Sequence, residues 1–128
     1  MSRSVNRLAV GLAALVLVTG CGDKGESFTT VEDLAAAIGC DGAPIEAEPQ
    51  FFTESGFSCT VKFGDVNAYW FADTDALRTW EQVGLDAMAA WSGESEWPRL
   101  IGDRWAIEGS RTNLEFLRLS VGGVVRDD

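Results

Sequence analysis

A chain of 128 residues with 20 acidic side chains, ten cations and no histidine has room for one modest domain. The missing histidine excludes His-based catalytic triads and every zinc site that uses imidazole. All 20 acidic residues follow Cys21 together with eight of the ten cations, so residues 21–128 carry a net charge of −12; such a surface repels phosphate backbones and anionic headgroups, which disfavours nucleic acid as a partner.

Arg3 and Arg7 open the chain, an apolar run LAVGLAALVLV fills 8–18, and the small residues Thr19 and Gly20 follow. That order reads as a secretory signal peptide over 1–20. The run is well short of the roughly 20 residues that a permanent membrane-spanning helix needs. Val18-Thr19-Gly20-Cys21 resembles the lipobox of bacterial lipoproteins. In that class the cysteine thiol takes a diacylglyceryl group as a thioether and becomes the new N-terminus. The resemblance implies lipidation at Cys21, with the membrane as partner through that anchor and the protein on the extracytoplasmic face of the cell membrane. Two or more acyl chains give stable anchoring where one is marginal. The Gly-rich polar stretch GDKGES behind Cys21 has too little apolar surface to pack and reads as a flexible tether, 21–27, leaving a single domain at 28–128.

Within that domain Thr29 and Glu32 make a capping box for a short helix over 29–38 that Gly39 stops. Residues 41–55 contain Pro44 and Pro49 and predict a surface loop pinned by Phe51 and Phe52. Alternating Phe57, Cys59, Val61 and Phe63 predict a strand, Gly64-Asp65 a two-residue turn, and 66–71 the returning strand. That register sets Phe63 opposite Val66, Val61 opposite Ala68 and Cys59 opposite Trp70, all on one face. Asp73 or Thr74 then caps a helix to about Trp91 with a stripe of Leu77, Trp80, Gly84, Ala87, Met88 and Trp91. A second hairpin is expected over 97–108 around Gly102-Asp103, and Ser110 supplies the cap of a further helix. The segment 113–121 fits a helix or an alternating strand; Gly122-Gly123 as a stop favours the helix. Hairpin followed by helix thus occurs twice, which suggests an internal repeat.

The order α-ββ-α-ββ-α implies an α+β domain: an antiparallel four-stranded sheet built from two β-hairpins, with helices mainly on one face. The helix ending in Ile38-Gly39-Cys40, the Cys-bearing strand before an aromatic-rich one, and Gly102-Asp103-Arg104-Trp105-Ala106-Ile107 before a helix that ends at Gly122-Gly123 resemble small secreted lipoproteins of actinobacteria. That resemblance implies fold and location. The group is largely without assigned function, so no activity comes with it.

With Cys21 assigned to lipid, Cys40 and Cys59 remain in an oxidising compartment and are expected to form a disulfide; there is no Cys-x-x-Cys redox pair. The five tryptophans read chiefly as core, Trp97 beside Pro98 being the best placed for a ligand surface. Asp73 and Asp75 read as a helix N-terminus and Glu46, Glu48 and Glu54 as a solvated loop; the inner glycine and ligand run of a calcium loop are missing. No phosphate loop, nucleophile elbow or Ser-x-x-Lys pattern is present, so no cofactor, metal or catalytic residue is assigned, and an enzyme is the less favoured class. The leading function is a binding or interaction module of the cell envelope. The alternatives are a small carboxylate-dependent envelope hydrolase and an accessory structural lipoprotein. For the module, the hairpin register sends Lys62, Tyr69 and Phe71 to the open side of the sheet, joined there by Arg99 and Arg104 of the second hairpin. Cations beside aromatic rings suit an anionic ligand or an acidic envelope protein.

Overall fold

The computed structural model describes residues 27–91 and 96–128. The expected leader, Cys21 and all of the expected tether but Ser27 lie outside the described residues. Three helices and six strands follow in the order α1 (Val31–Ile38), β1 (Ile45–Ala47), β2 (Thr53–Val61), β3 (Gly64–Phe71), α2 (Thr74–Trp91), β4 (Arg99–Ile101), β5 (Trp105–Glu108), α3 (Arg111–Val121) and β6 (Val124–Arg126). The class is α+β, with one antiparallel sheet in the strand order β1-β2-β3-β5-β4-β6.

Local chemistry accounts for the helix ends. Thr30 caps α1 by accepting a hydrogen bond from the Asp33 amide, one residue beyond the expected cap, and Gly39 closes the helix in the left-handed region at φ 72°, where a Cβ would be strained. Asp73 caps α2 through the Ala76 amide, and Ser110 caps α3 through the Asn113 amide. The segment open to two readings is therefore helical.

Both predicted hairpins form, each with a shifted turn. In the first, Val61 pairs with Gly64 and Cys59 with Val66, so the turn residues are Lys62 and Phe63, two positions before the expected Gly64-Asp65. In the second, Ile101 pairs with Ala106 and the Gly102 amide donates to the Trp105 carbonyl, centring the turn on Asp103-Arg104. Both shifts move the pairing by an even number of residues, so the residues that stay in the strands keep their predicted faces, while Lys62, Phe63 and Arg104 pass into the turns. Two short strands were not expected: β1 in the proline-bearing loop and β6 after α3. They pair with β2 and β4 and extend the sheet to six strands.

The correction lies in what covers the sheet. Leu34 and Ile38 of α1 and Leu114, Leu117 and Val121 of α3 pack on Phe57, Cys59, Val61, Val66, Ala68, Trp70, Leu100, Trp105 and Ile107. The opposite face is not open. Leu77 and Trp80 of α2 pack there on Phe71, Ile101 and Ala106. The two hairpin-helix units thus place their helices on opposite faces, because β3 and β5 expose apolar residues on both sides and each side must be covered. Only the first half of α2 is buried; Trp91, expected in its stripe, is 88% exposed.

Candidate binding surfaces

Cys40 and Cys59 are joined, with Cα atoms 5.6 Å apart and a sequence separation of 19. The bond ties the end of α1 to the inward face of β2. The carbonyl of Thr60 accepts the Asp41 amide just beyond it.

The expected five-residue surface is dispersed. Phe71 is fully buried and Arg99 is 2% exposed under α2, Tyr69 is half-buried beside them, Arg104 is partly exposed, and only Lys62 stands out in solvent. Tyr69, Phe71 and Arg99 lie on the predicted side of the sheet, but α2 covers it, with the Trp80 ring centroid 5.3 Å from that of Tyr69 and 5.4 Å from that of Phe71; Lys62 and Arg104 lie in the two turns instead. Arg104 binds within the fold: its Nε donates to the Phe71 carbonyl at 2.8 Å, its guanidinium lies 4.8 Å from the centroid of Trp70, and Glu54 is 3.6 Å away.

Under α2 the sheet carries a polar network. Arg99 Nε donates to Glu81 at 2.8 Å, while its terminal nitrogens donate to the main-chain oxygens of Trp97 and Asp128. The guanidinium stacks on the Trp97 ring, 4.6 Å from its centroid. Trp97 Nε1 donates to Glu108 at 2.6 Å and the Tyr69 hydroxyl donates to the other oxygen of Glu108 at 2.8 Å. Burial, reinforced by that hydrogen bond and by the Glu108 charge, pushes the Tyr69 hydroxyl up from its ordinary value of 10; it remains a neutral donor well into alkaline solution. Trp97, the tryptophan best placed by sequence for a ligand surface, is instead wedged against α2. A Cβ at Gly84 would lie 2.5 Å from two of its ring atoms, so glycine is what admits the indole. Glu81 and Glu108 are held by fixed donors, and this arrangement is suited to joining helix and sheet.

The first hairpin tip is different. Phe63, expected inward, is 49% exposed, and meets Phe116 of α3 edge-on with ring centroids 5.6 Å apart. Lys62 Nζ stands 5.6 Å from the Phe63 centroid and 5.4 Å from that of Phe116. Leu119, one turn along α3, is 82% exposed. Asn113, fully buried, holds the turn from below: its Oδ1 accepts the Phe63 amide and its Nδ2 donates to the Gly64 carbonyl. The result is an apolar patch with a cation on it, displayed on a clamped turn. Helical periodicity alone gives Asn113 no role in binding. Its position on the apolar side of α3, beside Leu114 and Leu117, is the signal that marks it as a buried clamp.

This tip lies at one end of β2. At the other end Thr53 pairs with Phe71, whose amide donates to Arg104 in the second turn. Ser27, the first described residue, stands there too, its hydroxyl 3.4 Å from Asp103, followed by Phe28 against Trp105. Over the nine residues of β2 the two ends are separated by about 26 Å. The chain matches no known family model, no curated protein and no solved structure.

Proposed function

We propose that this chain is a lipid-anchored lipoprotein on the outer face of a bacterial cell membrane, similar to the small secreted lipoproteins of actinobacteria, and that it acts as a binding module of the cell envelope. Cys21 carries the anchor, and Lys62, Phe63, Phe116 and Leu119 form the contact for an envelope protein segment bearing acidic and apolar side chains. The observation that supports this most is the clamped hairpin tip. Its exposed rings are pre-organised by buried Asn113, which lowers the ordering cost of binding, and they stand at the end of the sheet away from Ser27. No observation favours the carboxylate hydrolase.

The test has two parts. Cys21→Ser is expected to leave the detergent-soluble membrane fraction; partition like the parent's rejects the anchor. A photo-crosslinking residue at position 63 is then expected to give one discrete adduct in intact envelopes, lost with Lys62→Glu and absent when the same residue replaces exposed Val83 on α2. No adduct, or the same adducts from both positions, rejects the partner surface.

A further inference from the structure

The tether end of the molecule has an apolar tip of its own. Phe51, expected to pin a loop, is 80% exposed and Phe52 is 45% exposed, their ring centroids 6.3 Å apart. Phe52 adopts φ 69°, in the left-handed region that a bulky side chain rarely enters. Thr53 fixes the turn: its hydroxyl accepts the Gln50 amide at 2.7 Å and donates to the Gln50 carbonyl at 3.0 Å, while its own amide donates to the same carbonyl. Pro49 further limits the approach. A rigid turn therefore holds two phenylalanines out in solvent.

Their position gives the pair a neighbour. Strand β2 starts directly behind the tip, two strands from β5, or about 10 Å across the sheet, and Ser27 is bonded beside the β4–β5 turn at that same end. Ser27 stands six residues after Cys21, so the chain reaches no more than about 20 Å from the lipid. We infer that Phe51 and Phe52 are a second membrane contact, entering the acyl boundary of the bilayer to which Cys21 is anchored and thereby turning the hairpin tip at Lys62-Phe63 away from the membrane.

The proposal rests on the lipid-anchored reading above and adds an orientation to it. Short tethering makes a weak contact sufficient, since the local concentration of bilayer is high. The contact is apolar: Glu48 and Glu54 flank the tip, so anionic headgroups oppose it and uncharged lipid favours it.

All seven phenylalanines of the chain, at 28, 51, 52, 57, 63, 71 and 116, become separate probes when replaced by 4-fluorophenylalanine. The labelled, lipidated protein is placed in phosphatidylcholine vesicles containing a lipid with a nitroxide on its acyl chain, and fluorine spectra are recorded. The expected result is that the resonances of Phe51 and Phe52 lose most of their intensity while those of Phe63 and Phe116 persist. Equal loss at both ends, or persistence of all four, overturns the inference. A second arm replaces Cys21 with a hexahistidine segment bound to a nickel-chelating lipid in the same vesicles, so that the orientation is read whether or not the cell lipidates Cys21. Intact mass of the membrane-extracted protein reports lipidation separately. Loss confined to Phe51 and Phe52 in the second arm supports the docking even if that mass shows an unmodified cysteine, and Phe51→Ser should restore most of the intensity of the remaining Phe52 resonance.

Discussion

The two faces of the sheet are buried by different means. Under α1 and α3 the contact is formed by aliphatic and aromatic side chains with the Cys40–Cys59 bond among them. Under α2 a smaller apolar cluster adjoins Arg99, Trp97, Glu108 and Tyr69 joined by hydrogen bonds. A dry face tolerates conservative change in proportion to the volume lost, because its interactions are non-directional. The polar face depends on every partner being present, since a buried donor or charge left alone keeps its full desolvation penalty.

That contrast fails or holds first at Arg99. Arg99→Ala removes the 2.8 Å partner of Glu81, leaving it Arg126 at 3.8 Å, and leaves the main-chain oxygens of Trp97 and Asp128 without that donor; it is expected to cost about 3 kcal/mol, whereas Arg99→Met combined with Glu81→Leu should recover most of the loss. Urea unfolding of the three variants measures it; a double variant as unstable as the single one would mean that the network is not behaving as a unit.

On the dry face the disulfide is the corresponding element. Replacing Cys40 and Cys59 together by alanine opens a loop with a sequence separation of 19 and should lower stability by about 3 kcal/mol, chiefly by freeing the unfolded chain. Because the packing around it is apolar, the variant is expected to keep the parent's near-ultraviolet circular dichroism. Loss of that signal would show that the bond also shapes the native packing.

The smallest effect separates the faces by pH. Tyr69 is the one tyrosine of the sequence, and its folded-state pKa is raised above the ordinary value of 10. The unfolded chain releases this proton near pH 10 and the folded one at higher pH, so the Tyr69 contribution is fully present below pH 10 and is lost as pH rises beyond it. Tyrosinate absorbance at 295 nm should therefore rise together with unfolding. Tyr69→Phe should lose about 1 kcal/mol at neutral pH and with it that part of the alkaline fall. Ionisation of Tyr69 near pH 10 in the folded protein would place the hydroxyl in water.

The site was less legible in sequence than the fold. The cysteine pair was readable because only two cysteines remained after Cys21. The hairpin tip is less so, although Lys62 belongs to it, because the patch needs Phe63 outside the strand. Gly64-Asp65 carries the better local turn chemistry. It is overruled by contacts distant in sequence, in which Asn113 grips the Phe63 amide and Gly64 carbonyl and Phe116 receives the ring.

By itself the sequence determined the three helices, through capping side chains at Asp73 and Ser110 and the glycine stops at Gly39 and Gly122, and it determined which side of the sheet the residues that stay in the strands occupy. Both properties are local, since a cap acts over one turn and alternation is built into the strand. Tertiary structure alone decided where the hairpins turn, that α2 covers the second face, and that the edge strands Ile45–Ala47 and Val124–Arg126 join the sheet. A face's periodicity says that it is apolar without saying what covers it. That choice between α2 and solvent is made by long-range burial of Leu77 and Trp80 on Phe71, Ile101 and Ala106.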